Sequence, residues 1–499
     1  MHGSPATQLQ GKQLCYPRKV LRALALVVTV GCAGCGGRGG TTEPPPANQD
    51  AITPDAALEI PAKSLGMPDL ASYMWRKRGG HPAFRIARTA EAKNQWVDVV
   101  TTCKQALAAD PGHLEAAWLL AAGLGKLAKA DELLGPLQLA VAGDFGKWGL
   151  ASLELAELQP FLKTPTGEAW KRRVETDRVA YVASLARSVF VQASGDLYAL
   201  DPEADRWYRV TRTFGAVVGS LRVAPTKIAY VTRQKGSDGK ATLAIGVIDL
   251  SRGKTSKPLE LGTKGPVIVS YSAKQDPGVW VMAGGAIRKR LDDNFVLTSL
   301  PPKSSRPAGP WLEVKGRTAR LHAIPVAGVT ADWDDKGLAS AVQIGKSNRV
   351  VSVPAPGLID GNTVTWSPDR SKIAFIAQLD ENRICRTAAK DAPSINAAAF
   401  VADATTGTLT EIDRAESMAI EWISDRKLMI DKGGGVTVFD LDGGEPEPMA
   451  SADGLLSPRR RPTCTPALSE DPPPQDPDLV DQGGSNGEPS AAKVVEPPQ

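Results

Sequence analysis

The stretch Trp366-Ser367-Pro368-Asp369-Arg370-Ser371-Lys372-Ile373-Ala374-Phe375-Ile376 has the pattern of a tight turn between two short strands. Proline at the second turn position presets the backbone dihedral that a type I turn requires, and Asp and Ser favour the same turn. Ile373 and Phe375 alternate with smaller residues, so both are expected to point into a core. Weaker copies occupy residues 223–231 and 422–430, and more degenerate ones begin near Ser270 and Trp333. The chain therefore contains a repeated β unit.

A second repeated feature is an apolar strand that ends in aspartate, followed by a turn. It occurs at Asp201, Asp249, Asp403 and Asp440. Phe295-Val296-Leu297 and Arg349-Val350-Val351 fill the two gaps in this series. Six units across residues 179–450 have a length of about 45 residues each, which is the length of a four-stranded propeller blade.

The Trp-Ser-Pro-Asp turn followed by Ile-Ala-Phe resembles the repeat of TolB-type, WD-repeat-like β-propellers. The resemblance implies a propeller of about six blades over residues 179–450, and a β-sandwich is the alternative fold. No segment of the sequence stands out as a strand that closes a ring. Trp366 and Trp422 could face a central pore, but packing between blades is the favoured role.

Residues 67–176 have helical rather than β periodicity. One helix face carries the apolar residues Trp96, Val99, Val100, Cys103 and Leu107. Ala106 and Ala140 stand 34 residues apart, and Ala-Leu followed by Asp-Pro resembles the tetratricopeptide repeat. Two such units are fewer than an array usually needs, so we expect the helices to pack on the propeller. The alternative is a helical bundle with no binding role, and Cys103 is predicted to be a buried apolar thiol. The predicted fold class is multidomain α+β, a short helical repeat segment followed by an all-β propeller.

The N-terminus has the layout of an export signal. Basic residues precede the uncharged apolar run 24–30, and small residues then flank Cys32 and Cys35. This segment resembles the bacterial lipoprotein signal, and an ordinary secretory signal is the alternative. The resemblance implies that residues 1–34 are a signal peptide, that cleavage occurs before Cys32 or Cys35, and that acyl chains such as palmitate on that cysteine anchor the protein.

Residues 35–66 read as a flexible tether, because Gly36–Gly40 and Pro44–Pro46 combine flexible and extended composition. Neither Cys32 nor Cys35 is followed by aspartate. By analogy with enteric bacteria, this favours an outer-membrane lipoprotein of the cell envelope that faces the periplasm or the exterior.

The C-terminal segment, residues 458–499, loses all apolar periodicity. Between Ser469 and Gln499 it holds seven acidic residues and one lysine among many Pro, Gly and Ser, so it is predicted to be disordered. Cys385 and Cys464 form a possible disulfide if the compartment is oxidising.

The sequence contains no recognisable catalytic centre. Gly345-Lys346-Ser347 lacks the upstream glycine of a phosphate-binding loop, and no Gly-x-Ser-x-Gly elbow occurs. Asp440, Asp442 and Glu445 fit a β-turn better than a calcium loop. The four histidines are widely spaced, and the net charge of +4 does not indicate nucleic-acid binding. No catalytic residue, cofactor, metal site or small-molecule substrate is therefore predicted.

These patterns favour a membrane-anchored protein-binding or scaffold module rather than an enzyme, with another envelope protein as its partner. The alternative is an enzyme whose site lies in the propeller channel and which acts on a glycan or a lactone. That function would require acidic residues or metal ligands to converge at strand ends on one face.

Overall fold

The computed structural model describes residues 59–236, 239–262, 265–273, 277–284, 287–301, 304–307, 309–322, 326–334, 337–346, 349–379, 397–457 and 459–460. All of them belong to one compact unit, Ala57–Gln499. The predicted lipidation residues Cys32 and Cys35 and the possible disulfide partners Cys385 and Cys464 lie outside these described residues.

The first part of the described chain is helical. Its α-helices are α1 (His81–Ala92), α2 (Trp96–Ala109), α3 (Leu114–Lys126), α4 (Ala130–Gly143), α5 (Phe145–Trp148), α6 (Ala151–Glu154), α7 (Gln159–Leu162) and α8 (Pro165–Arg187). Short 3₁₀ turns lie at Leu70–Tyr73, Trp75–Lys77 and Ala156–Leu158. None of the described helices combines the length and the apolar composition needed to cross a bilayer.

The first four helices, α1 to α4, follow one another with regular spacing. Thirty-three residues separate the start of α1 from that of α3, and 34 separate the start of α2 from that of α4. Each helix packs on the next along the chain. Their shared core includes Val99, Val100, Cys103 and Ala106 from the predicted apolar face of α2.

Helix α8 extends the helical part beyond its predicted end at residue 176. The β region begins at Val189 rather than at residue 179. The physical reason is that the apolar face of α8 continues: Trp170, Val174, Tyr181 and Leu185 are all buried on it. Thr164 caps the start of α8 by accepting a hydrogen bond from the Gly167 amide at 3.1 Å.

The rest of the described chain forms five antiparallel sheets. Sheet 1 contains β1 (Val189–Ala193), β2 (Asp196–Asp201) and β3 (Arg206–Arg209). Sheet 2 contains β4 (Val217–Ala224), β5 (Lys227–Lys235), β6 (Ala241–Asp249), β7 (Lys254–Thr255) and β8 (Leu259–Glu260). Sheet 3 contains β9 (Val267–Ser272), β10 (Gly278–Ala283), β11 (Ile287–Leu291), β12 (Leu297–Ser299), β13 (Trp311–Lys315) and β14 (Thr318–His322).

Two further sheets complete the described β region. Sheet 4 contains β15 (Val329–Thr330), β16 (Leu338–Lys346), β17 (Arg349–Asp360), β18 (Thr365–Trp366), β19 (Lys372–Gln378), β20 (Ala397–Asp403) and β21 (Leu409–Ala415). Sheet 5 contains β22 (Met418–Trp422), β23 (Lys427–Asp431), β24 (Val436–Asp440) and β25 (Glu447–Met449). Two short strands follow, β26 (Gly454–Leu455) and β27 (Arg459–Arg460).

The described residues hold five sheets where the sequence predicts about six units. Sheet 4 accounts for the difference, because it contains the two units predicted around Trp333 and Trp366. Strand β17 pairs along most of its length with β16, and its end at Leu358 and Ile359 pairs with β19. One long strand therefore joins two predicted units into a single sheet.

The chain also contributes strands beyond the predicted end of the β region at residue 450. Strand β26 pairs with β1, and β27 pairs with β22. Two-residue strands carry no alternating pattern, so only the pairing with a distant partner identifies them. Strand β26, from the C-terminal part of the chain, therefore belongs to the same sheet as β1.

The helices and the first sheet share one apolar core, as the small number of helical repeats predicts. Leu185 of α8, Val191 of β1 and Tyr208 of β3 belong to the same buried cluster. Sheets 2 and 3 share a second cluster, and sheets 4 and 5 share another. Each element thus buries its apolar face against a neighbour.

The predicted Trp-Ser-Pro-Asp turn is confirmed. The Ser367 hydroxyl donates to Asp369 at 2.7 Å, and the same carboxylate oxygen accepts the Ser371 amide at 2.9 Å. The Asp369 amide donates to Asp425, in the equivalent turn of sheet 5, at 2.8 Å. Copies of the repeat therefore lie side by side and are linked by their turns.

The aspartates that end the repeated strands have a structural role. Each accepts backbone amides from the turn that follows it, as in an Asx-turn. The four residues that do so are Asp201, Asp249, Asp403 and Asp440.

Candidate functional site

The contact between the helical part and sheet 1 begins with an arm that precedes the helices. Met67 forms a β-bridge with Trp207 of β3. The hydroxyl of Tyr73 lies 2.8 Å from the carbonyl oxygens of both Gly143, at the end of α4, and Trp207. The arm is therefore hydrogen-bonded to both sides of the contact.

A buried ion pair links the two sides directly. Asp144 follows α4, Arg212 follows β3, and Arg212 Nε lies 3.3 Å from Asp144 Oδ2. The side chains are 5% and 21% exposed, respectively. Burial, reinforced by the charge of Asp144, holds the pKa of Tyr73 well above its usual value.

Beside this ion pair lies a cleft of about 200 Å³, which we call the junction cleft. Its helical side is formed by Phe145, Gly146, Lys147, Leu150, Ala151, Arg178 and Tyr181. Its sheet side is formed by Arg252, Gly253, Lys254, Thr255 and Phe295. The cleft therefore lies between the helical part and two turns of sheets 2 and 3.

Two glycines allow the walls of the junction cleft to approach Tyr181. A Cβ atom on Gly146 would lie 2.5 Å from the Tyr181 hydroxyl oxygen. Gly253 has φ of +61°, and a Cβ atom there would lie 3.1 Å from the tyrosine ring. Thr255 Oγ1 donates to the Val210 carbonyl at 2.9 Å and holds the sheet wall in place.

Phe295 is presented by a strained turn. Its φ is +61°, a left-handed conformation that costs a non-glycine residue roughly 1–2 kcal/mol. Asp292 Oδ1 stabilises the turn by accepting the amides of Asn294 and Val296, both at 2.9 Å. The turn places the Phe295 ring centroid 5.5 Å from the guanidinium carbon of Arg252.

Lys147 is the most enclosed cation of the junction cleft. Its ammonium lies 2.5 Å from Glu115 and 4.3 Å from the centroid of the Trp148 ring. Burial lowers the pKa of Lys147, although Glu115 opposes this shift. Lys147 is thus held in position between an acid and an aromatic face.

The other three cations of the junction cleft are more exposed. Arg178 forms an ion pair with Glu175 at 2.7 Å, and Arg252 forms one with Asp249 at 2.8 Å. For Lys254 the described residues show no carboxylate partner within ion-pair distance. The lining residues of the cleft thus include four basic side chains and no acidic one.

One lining residue of the junction cleft and two chain neighbours of lining residues are exposed aliphatic side chains. Leu150 lines the cleft and is 40% exposed. Val179 and Val296, the chain neighbours of Arg178 and Phe295, are 60% and 52% exposed. The arrangement suits a ligand that combines negative charge with aliphatic groups.

Trp366, Trp422 and Cys103, which the sequence analysis named, have packing roles in the structure. Trp422 is 5% exposed in the core that sheets 4 and 5 share. The indole N–H of Trp366 donates to the Ala327 carbonyl at 3.1 Å. Cys103 is fully buried, and burial raises its pKa to about 12, as expected for an apolar thiol.

The acidic segment that follows β24 forms a turn. Asp440 Oδ1 accepts the Asp442 amide at 3.0 Å, and Asp442 forms an ion pair with Arg426 at 2.6 Å. Within the part of the chain that the structure describes, no group of three or more His, Cys, Asp or Glu is placed to hold a metal ion.

A second polar feature lies on β22, the strand of sheet 5 next to β27. The Glu421 carboxylate accepts a hydrogen bond from Ser457. Burial raises the pKa of Glu421, while Ser457 and the charge of Arg222 on β4 oppose the shift. A single acid with a raised pKa is less than the cluster that a hydrolytic channel site requires.

Sequence reasoning missed the junction cleft entirely. Its lining residues come from α5, the α5–α6 connection, α6, α8, the β6–β7 turn, β7 and the turn before β12, so no local motif contains them. The sequence gives only a weak indication of the cleft. Residues 145–148 after α4 contain two aromatic residues, and they do not fit the predicted helical repeat.

No family model matches the chain, and no curated protein matches it. Among solved structures, the chain is similar to a protein assigned as a 6-phosphogluconolactonase from Bacteroides uniformis, with 12% identity, a TM-score of 0.28, and coverage of 55% of this chain and 98% of that one. A puromycin-hydrolysing peptidase from Mycobacterium tuberculosis shows 14% identity, a TM-score of 0.20, and coverage of 47% and 39%.

The extracellular domain of a hybrid two-component system from B. thetaiotaomicron shows 10% identity, a TM-score of 0.22, and coverage of 54% of this chain and 34% of that one. The chain thus spans well under half the length of the last two proteins. These neighbours are mostly β-rich, propeller-like proteins. With TM-scores this low, the similarities assign no function to this chain.

Proposed function

We propose that this chain is a lipid-anchored binding protein of the cell envelope that holds an envelope protein partner at the junction cleft. The observation that carries the proposal is the cleft itself, where four basic side chains and the exposed Leu150 lie between two firmly joined parts. A pre-formed concave site with few, well-placed polar groups is typical of ligand recognition.

The attachment of the helices to sheet 1 supports this proposal. The arm around Tyr73, the Asp144–Arg212 ion pair and the shared core all resist movement between the walls of the cleft. A site whose walls are held in place loses less conformational entropy when a partner binds.

The proposed architecture is a β-propeller preceded by a tetratricopeptide-like helical domain. Five consecutive antiparallel sheets and the pairing of β26 with β1 support a ring that closes on its first sheet. The spacing of α1 to α4 supports the helical repeat. The proposed anchor is a diacylglycerol on Cys32 or Cys35, and the outer membrane is the proposed location.

Photo-crosslinking in cells tests the binding role. A benzophenone amino acid at Leu150 of the full-length, membrane-bound protein is expected to capture one specific partner. The Arg178→Glu/Lys254→Glu double variant is expected to reduce that product at least fivefold, and Lys171→Glu on the same helix should leave it unchanged. Equal crosslinking by all three proteins would show that the cleft is not the site.

A second candidate function is catalysis at Glu421, because a half-buried acid with a raised pKa can act as a proton donor. A panel of glycans and lactones tests it with the full-length protein. Hydrolysis that Glu421→Gln abolishes, together with no partner captured at Leu150, would replace the binding proposal with the enzymatic one.

A further inference from the structure

We propose that the junction cleft binds the segment Asp476-Pro477-Asp478-Leu479-Val480-Asp481 of the chain's own acidic tail, so that the tail and the partner compete for one site. The inference rests on the proposed function in one respect only: it takes the junction cleft to be the binding site. It adds the chemistry of the ligand, an acidic segment with an aliphatic centre.

Charge complementarity is the first argument. The lining of the cleft contains Lys147, Arg178, Arg252 and Lys254 and no acidic residue. Lys147, Arg178 and Arg252 are paired with Glu115, Glu175 and Asp249, which lie outside the lining. The tail between Ser469 and Gln499 holds seven acids and one lysine, and three of those acids lie within the six residues from Asp476 to Asp481. Opposite charges on two surfaces favour their encounter and fix how the surfaces align.

The cations can exchange their present partners at little cost. Arg178 and Glu175 form an exposed pair, with side chains that are 39% and 61% exposed. Exposed pairs of this kind contribute little to stability, so a tail carboxylate can replace Glu175 without disturbing the fold. Lys254, which has no carboxylate partner among the described residues, is the first cation available to the tail.

Apolar complementarity is the second argument. Leu479 and Val480 stand between the acids of the segment. Leu150 lines the cleft beside the cations and is 40% exposed, and Val179 and Val296 are exposed chain neighbours of lining residues. Contact between these two residues and Leu150 would remove apolar surface from water.

The chain is long enough to reach the cleft. The last described residue, Arg460, lies on β27 of sheet 5, and 15 residues separate it from Asp476. At roughly 3.3–3.6 Å per residue, the connection spans up to about 50 Å. A compact chain of about 400 residues has a radius of gyration on the order of 20 Å, and the extended connection is longer than this.

Tethering makes this interaction effective even if each contact is weak. A segment attached to the same molecule has a local concentration in the millimolar range for a linker of this kind. The tail therefore occupies the cleft until a partner with a better acidic or aliphatic surface displaces it.

Photo-crosslinking from the tail tests the inference in the full-length protein. Leu479 is replaced by a benzophenone amino acid, and crosslinked peptides are identified by mass spectrometry. We expect intramolecular crosslinks to residues 145–151, 178–181 and 292–297. Arg178→Glu combined with Lys254→Glu is expected to lower their yield at least fivefold, and raising the salt concentration to 1 M should have a similar effect.

Two further variants control for indirect effects. Lys171→Glu changes a cation on the same helix, 41% exposed and paired with Glu168, and should leave the yield unchanged. Asp478→Arg combined with Asp481→Arg, introduced into the doubly reversed cleft, should restore at least half of the yield. Far-ultraviolet circular dichroism confirms that each variant is folded.

Several outcomes overturn the inference. Crosslinks to other surfaces, crosslinks between two molecules, or a yield that is insensitive to charge reversal in the cleft each exclude the tail as its occupant. If the probe at Leu150 still captures a partner in that case, only the tail inference fails. If neither the tail nor a partner reaches the cleft, the proposed function fails with it.

Discussion

Lys227 and Asp249 face each other across β5 and β6, with Lys227 Nζ 3.2 Å from Asp249 Oδ2. The same cross-strand relationship recurs between Lys372 and Asp403 in sheet 4 and between Lys427 and Asp440 in sheet 5. A lysine at the start of one strand and the turn-capping aspartate at the end of the next therefore define the repeat in three dimensions. Cross-strand pairs of opposite charge stabilise antiparallel sheets.

The first prediction concerns pH. Burial would raise the pKa of Asp249, but hydrogen bonds from Ser251, Arg252 and Lys227 outweigh it and hold the pKa at about 2. Because this value lies below that of an unfolded aspartate, the carboxylate stabilises the fold above about pH 4, and the contribution is lost as the pH falls towards 2. The loss amounts to about 2 kcal/mol.

Asp249→Asn is expected to lower the free energy of unfolding at pH 7 and to flatten its decrease between pH 4 and pH 2. Urea unfolding at several pH values measures both effects. Asp440→Asn, at the equivalent but more exposed position of sheet 5, serves as the matched control and should change the pH profile less. Identical profiles for the wild type and Asp249→Asn would contradict the assignment.

The second prediction concerns the start of α3. His113 is fully buried, and its Nδ1 accepts the Ala116 amide at 3.1 Å as the helix N-cap. Burial lowers the pKa of His113, with Asp110 and Glu115 opposing the shift. Stability from the neutral imidazole is therefore complete above about pH 6.5 and decreases as the pH falls through the lower pKa of the folded state.

His113→Asn tests this cap, because asparagine also caps helices but does not titrate. We expect the thermal midpoint of the wild type to fall between pH 7 and pH 5, and that of the variant to be lower at pH 7 but nearly constant over this range. An unchanged pH dependence in the variant would assign the effect to another group.

The third prediction concerns the contact between helices and sheet 1. Asp144→Ala leaves Arg212 buried without its carboxylate, which should cost about 3–5 kcal/mol of unfolding free energy. Glu168→Ala, which breaks the exposed pair with Lys171, should cost less than about 1 kcal/mol. Denaturant unfolding measures both. Similar costs for the two variants would mean that the ion pair does not hold the contact.

The fourth prediction concerns the thiols. Because burial raises the pKa of Cys103 to about 12, iodoacetamide at pH 8 should leave it unmodified in the native protein and modify it after denaturation. If Cys385 and Cys464 are paired, both should require a reductant before they react. Modification of both without reductant under denaturing conditions would exclude the disulfide.

The fifth prediction concerns the anchor. Metabolic labelling with an alkyne analogue of palmitate should label the full-length protein. Of the single variants Cys32→Ala and Cys35→Ala, one should abolish the label and release the protein from the membrane fraction, because stable anchoring requires the acyl chains. Retention of the label in both variants would place the modification elsewhere.

The repeated β unit could be predicted from the sequence because its turn is local. Pro368 and Asp369 specify the turn within a few residues, and the alternation of Ile373 and Phe375 specifies which face is buried. The helical character of residues 96–109 was predictable for the same reason, since the spacing of Val99, Cys103 and Ala106 shows one apolar face. The end of α8 was missed, because the change from helix to strand at Ser188 depends on what the two elements pack against.

The sequence by itself determined the order of the helical and β regions, the turn of the repeat and the buried state of Cys103, because these depend on contacts within a few residues. Only the tertiary structure decided the pairing of β26 with β1, the merging of two units in sheet 4 and the junction cleft. Each of these joins residues that are distant in the chain, such as Lys147 and Lys254, and no local pattern records which distant segments bury their surfaces against each other.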